Sequence, residues 1–122
     1  MVHIYDKSLR KEPKSVQKTI NKALDKLTQR YGYYSSRNID IRNVFNDDIL
    51  VHDIVKKEWY VYKCMADKMQ IRILYTAKGN DIIVAAHYIK QKDSKKYLAE
   101  FEEFANTLPS ADMLYRQFAL AS

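Results

Sequence analysis

The chain has 122 residues, 47% of them hydrophobic, and its 21 Lys and Arg against 15 Asp and Glu give a formal net charge of +6. One domain spanning 1–122 with a buried core fits this length, and the composition excludes disordered and fibrous proteins. A single cysteine excludes an internal disulfide scaffold, and neither a run of about 18 apolar residues nor a signal-peptide stretch is present, so we expect a cytoplasmic protein without a membrane partner.

The N-terminal quarter predicts a short strand and then one amphipathic helix. Val2–Tyr5 forms the candidate strand. Apolar residues over 15–31 recur at helical spacing, and Pro13 and Gly32 stand where a helix begins and ends. A second stripe repeats lysine every four residues and forms a basic ridge: Lys14, Lys18, Lys22 and Lys26.

Residues 33–58 show no decisive period, and their apolar pairs suit a helix or a strand equally. Three β-rich runs follow, Trp59–Met65, Met69–Ala77 and Asp81–Lys90, separated by segments short enough for hairpins. An antiparallel β-meander is therefore predicted over this part of the chain.

The C-terminal part predicts two helices. The first begins with Asp93 or Ser94 as N-cap and buries a face that starts at Tyr97. A break at Leu108–Ser110 precedes a helical extension from about residue 109, with Ser110 as its cap. The predicted fold class is α+β, with N-terminal helices on one face of an antiparallel sheet and helices at the C-terminus.

The positive charge is concentrated in two blocks. Residues 1–30 carry eight basic and three acidic residues, residues 61–97 carry the same numbers, and the rest of the chain is net negative. Two basic blocks that fold onto one surface would suit the phosphates of a nucleic acid.

Hairpin register predicts where part of the second block lies. If Gly79-Asn80 forms a two-residue loop, Arg72 pairs with His87, and the preceding hairpin sets Lys63 opposite Arg72. The three side chains would then form one row on a mixed face that resembles a cleft floor. Like charges directly opposite one another destabilise a sheet, and a bound anion would offset that cost. The alternative is that both cations simply extend into solvent.

The residues of this segment resemble the strand core of the RelE/ParE toxin superfamily, and within it the HigB group. The resemblance covers about 46 residues from Tyr60 and is carried by YVYK, IRILY, IIVAAHYIKQK and SKKYLAEFEEFA. It implies the toxin of a type II toxin–antitoxin pair, which cleaves mRNA on the ribosome through attack of the ribose 2′-hydroxyl on the adjacent phosphate. Its partners would be mRNA, the ribosome and a cognate antitoxin, and it would use neither a metal nor another cofactor.

The resemblance also implies roles for individual residues. Arg72 would clamp the scissile phosphate, Lys63 would act as base or charge stabiliser, His87 would transfer a proton, and Tyr97 would be catalytic or stack on a base. Further lysines around the strand ends would bind RNA: Lys68, Lys90, Lys92 and Lys95.

Two other functions remain open at this stage. One is a non-catalytic member of the superfamily, either a ParE-like gyrase inhibitor or a nucleic-acid-binding adaptor. The other is a basic α+β protein that only binds a partner, which a structure without Lys63, Arg72 and His87 on one face would favour.

Overall fold

A computed structural model describes residues 1–90 and 96–121, and its fold is α+β. Asp93 and Ser94, the predicted helix caps, lie outside the described residues. The elements in chain order are β1 (Val2–Ile4), α1 (Lys14–Ser35), β2 (Asp53–Val55), β3 (Trp59–Ala66), β4 (Met69–Lys78), β5 (Asp81–Lys90), α2 (Lys96–Ala105) and α3 (Ala111–Ala121), with 3-10 turns at Leu9–Lys11 and Ile41–Asn43.

The five strands form one mixed sheet in the order β1-β5-β4-β3-β2. The predicted meander is confirmed, because β3, β4 and β5 pair antiparallel in sequence. The expectation of an entirely antiparallel sheet is wrong at one edge, where β1 runs parallel to β5 with Val2 opposite Ile82. Parallel pairing is possible here because a long connection that includes α1 joins β1 to β5, whereas a short turn would allow only antiparallel pairing.

Helix α1 begins near the predicted residue but continues past its predicted end at Gly32. It runs to Ser35, and the left-handed residue that follows it is Asn38, with a φ of 57°. The extra turn is anchored by Tyr34, whose hydroxyl donates to the buried carboxylate of Asp47 at 2.9 Å. A long-range hydrogen bond therefore outweighs the local tendency of glycine to end a helix.

Each face of the sheet has its own hydrophobic core. The apolar face of α1 packs against one side, around Leu27, Ile73 and Tyr75. On the other side α2 and α3 cover Leu74 and bury a second cluster around Phe101, Leu114 and Trp59. The face expected to be a cleft floor is therefore mostly covered, and the C-terminal extension, capped by Ser110 as predicted, forms part of this second core.

A β-bulge changes the predicted register between β4 and β5. Lys63 lies opposite Arg72 as predicted, and Tyr75 lies opposite Val84. The next pair, however, joins Leu74 to Ala86, so one residue of β5 is left over. The extra residue of a bulge moves everything beyond it by one position, and a one-residue shift transfers a side chain to the opposite face. His87 is consequently opposite Ile73, and Tyr88 takes the predicted place of His87 beside Arg72.

Candidate active site

Three residues of adjacent strands form one row on the α2 side of the sheet: Lys63 on β3, Arg72 on β4 and Tyr88 on β5. Two of the three are basic, and we call this the charged row. Residues directly opposite one another in antiparallel strands project from the same face. Arg72 contacts Tyr97 of α2, so the row lies on the face that α2 covers in part. Two of the four residues proposed as catalytic thus stand side by side.

Lys63 and Arg72 differ sharply in their surroundings. The Lys63 side chain is exposed and makes no hydrogen bond or ion pair with the part of the chain that the structure describes. Arg72 is only 3% exposed, its Nη1 donates to the Ile71 carbonyl at 3.1 Å, and its Nε has no partner among the described residues. A buried cation with an unused donor is costly, which makes Arg72 a candidate functional residue.

Tyr97 links the charged row to β2. Its ring lies 5.4 Å from the Arg72 guanidinium, and its hydroxyl donates to Oδ2 of Asp53 at 2.8 Å. Burial raises the pKa of the Tyr97 phenol, the Asp53 carboxylate raises it further, and the charge of Arg72 opposes the rise. Tyr97 therefore stays a hydrogen-bond donor at neutral pH and holds the carboxylate of Asp53 in place.

Asp53 and its neighbour His52 are candidate site residues that the sequence analysis did not identify. Asp53 is opposite Val61 of β3, and the His52 backbone N–H donates to the Val61 carbonyl at 2.9 Å. The His52 ring lies between two carboxylates, with Nδ1 3.3 Å from Asp48 and Nε2 3.9 Å from Asp53. Both residues lie in 33–58, where the hydrophobic pattern did not distinguish helix from strand. The only sequence signal for them was the adjacency of a histidine and an aspartate.

His87 is separated from the charged row, contrary to the predicted row of three. Its Nδ1 bonds to the buried Asp6 carboxylate and its Nε2 lies 3.2 Å from Glu12, so it ties the N-terminal segment to β5. The Ser8 hydroxyl also donates to Asp6, at 2.6 Å. Burial by itself would lower the pKa of His87, but its two carboxylate partners raise it overall. The imidazole is therefore engaged in a structural ion pair.

A groove of about 790 Å³ lies beside this His87 cluster, between the N-terminal segment, β5 and α2. Its lining includes Ala85, Ala86, Phe101 and Phe104, and neither Lys63 nor Arg72 belongs to it. Within residues 1–90 and 96–121, no group of three His, Cys, Asp or Glu side chains is arranged to hold a metal ion.

The lysines predicted to bind RNA have different positions. Lys68 is exposed in the β3–β4 turn, in a left-handed conformation with a φ of 65°. Lys90 ends β5 opposite Gln70, and its side chain is half-buried. Lys92 and Lys95 lie outside the described residues.

In comparisons with known proteins, no family model, no curated protein and no solved structure matches the chain. A function must therefore be argued from the chain's own residues. Over the part of the chain that the structure describes, no helix is both long and apolar enough to cross a membrane.

Proposed function

We propose that the chain is a metal-independent RNA endonuclease and acts as the toxin of a type II toxin–antitoxin pair. The observation that carries the proposal is a series of contacts from Arg72 to Tyr97 and from Tyr97 to Asp53, which joins three different elements. It begins at Arg72, directly opposite the exposed cation of Lys63 in the sheet. The strand–helix–meander order, with one N-terminal helix, α1, against one face where several were expected, also supports the resemblance to the RelE/ParE superfamily.

In this proposal, Lys63 binds the scissile phosphate. Its ammonium is exposed and without a partner in the described chain, whereas the guanidinium of Arg72 is covered. An anion beside Lys63 would relieve the repulsion between the two opposed cations. Arg72 then acts through Tyr97, whose ring it supports, and adds positive potential near the phosphate.

Asp53 and His52 transfer the protons in this proposal. The Asp53 carboxylate takes the proton of the ribose 2′-hydroxyl as its oxygen attacks phosphorus, and the protonated imidazole of His52 gives a proton to the leaving 5′-oxygen. The P–O5′ bond breaks, and the products are a 2′,3′-cyclic phosphate and a 5′-hydroxyl. Asp53 then returns its proton to His52, which restores both groups for the next reaction. Tyr97 keeps the carboxylate oriented through its 2.8 Å hydrogen bond.

The test is induced expression followed by mapping of mRNA 5′ ends. We expect growth arrest with discrete new 5′ ends for the wild type and loss of both for Lys63→Gln, which removes an exposed charge and leaves the fold intact. Lys78→Gln is the matched control, because Lys78 is an exposed lysine at the opposite end of the neighbouring strand. Equal cleavage by Lys63→Gln and the control would contradict the site.

A non-catalytic function is the second candidate, and two observations favour it. Arg72 is buried and His87 is off the charged row, so the predicted group of three does not share a face. The candidates of this class are a ParE-like gyrase inhibitor, a nucleic-acid-binding adaptor and a partner-binding protein. A DNA-damage response without mRNA breaks on induction would indicate the gyrase inhibitor, and neither effect would indicate binding alone.

A further inference from the structure

The row of side chains next to the charged row consists of Met65, Gln70 and Lys90, and we call it the outer row. Met65 pairs with Gln70, and Gln70 pairs with Lys90. Each is two residues along its strand from its counterpart in the charged row, so both rows project from the same face.

Gln70 has the properties of a recognition residue. Its side chain is half-buried, yet its amide makes no hydrogen bond with any residue that the structure describes. A glutamine amide presents two N–H donors and a carbonyl acceptor in one plane, which can pair with the edge of a nucleobase. Beside it Met65 is 58% exposed and offers a polarisable apolar surface to the face of a base.

The distance between the two rows suits a neighbouring nucleotide. Two residues along a strand span about 6.8 Å, which is close to the length of one nucleotide in an extended chain. A phosphate held at Lys63 therefore brings an adjacent base over the outer row. Sequence-specific recognition of RNA uses unstacked bases of this kind.

We infer that Gln70 is a specificity-determining residue, which reads the base of one nucleotide beside the scissile phosphate through its side-chain amide. This inference rests on the proposed endonuclease activity and adds to it the source of sequence preference.

The test compares cleavage-site sequences for the wild type and Gln70→Leu, a substitution of similar size without hydrogen-bonding groups. After brief induction, mRNA 5′ ends are mapped and base frequencies are counted at each position around the cleaved bond. We expect the wild type to discriminate about tenfold at one flanking position, the usual range for a bidentate base contact. In Gln70→Leu we expect the preference at that position to disappear while the preferences at other positions persist.

Gln117→Leu is the control, because Gln117 is an exposed glutamine on α3. An unchanged sequence preference in Gln70→Leu would overturn the inference and leave the endonuclease proposal standing. A uniform loss of cleavage at all sites, with thermal unfolding unchanged, would overturn it too, because Gln70 would then serve the reaction itself. Absence of cleavage by the wild type would refute the endonuclease proposal and the inference together.

Discussion

Replacing Arg72 with methionine tests whether this residue serves function or stability. Arg72 is 3% exposed, and burying a charge costs several kcal/mol. Its unpartnered Nε adds a penalty of about 1–3 kcal/mol. Against these costs stand one charged hydrogen bond, which contributes about 1.5–3 kcal/mol, and the contact with Tyr97, which contributes about 0.5–2 kcal/mol.

The costs equal or exceed the stabilising contributions, so replacing the charge with the unbranched apolar side chain of methionine should not destabilise the fold. We expect the free energy of unfolding of Arg72→Met, measured by urea denaturation, to be equal to that of the wild type or up to about 2 kcal/mol higher. Cleavage should fall about 100-fold, as when one preorganised electrostatic group is removed from an active site. Arg72→Lys, which keeps the charge, should restore part of the activity.

The titration of Tyr97 gives an independent measurement. Arg72 opposes the rise in the pKa of this phenol, so Arg72→Met should raise that pKa further in a tyrosine-labelled NMR titration. Arg116→Met is the control, since Arg116 is exposed on α3. A fall in stability of more than about 2 kcal/mol, with Arg116→Met neutral, would mean that Arg72 is a structural residue and would refute the reasoning.

Three further predictions concern the same molecule. Asp53→Asn should remove the proposed base and lower the pKa of Tyr97. Single-turnover cleavage should then fall about 100-fold or more, while the midpoint of thermal unfolding stays within a few degrees of the wild type. Unchanged cleavage would exclude Asp53 as the base. The folded pKa of His87 is raised above its ordinary 6.5, so its stabilising contribution is complete below pH 6.5 and is lost as pH rises through the folded pKa. Urea denaturation from pH 5 to 9 should show this decline in the wild type and not in His87→Gln, and parallel curves would contradict the ion pair. Lys57→Gly should stabilise the protein by about 0.5–1 kcal/mol, because Lys57 has a φ of 63° that glycine adopts without strain; a lower thermal midpoint would show that its side chain contributes more than its backbone costs.

The sequence by itself determined the elements whose signals are local. Helix α1 follows from its apolar spacing, and the meander follows from three β-rich runs and two short turns. The opposition of Lys63 and Arg72 was predictable because a tight hairpin propagates its register along both strands. Helix α3 and its cap were likewise predictable, because the signal for a helix N-terminus lies in the few residues that form it.

Only the tertiary structure decided the arrangement of the site. The bulge that moves His87 to the other face depends on how β5 packs, and no turn signal reveals it. Asp53 comes into the site through the pairing of β2 with β3 and through the hydroxyl of Tyr97, which is 44 residues further along the chain. Burial of Arg72 is equally non-local, because Tyr97, which packs against it, belongs to a separate element further along the chain. Local sequence patterns predict individual helices and strands. A site is formed by contacts between those elements, and no local pattern specifies these contacts.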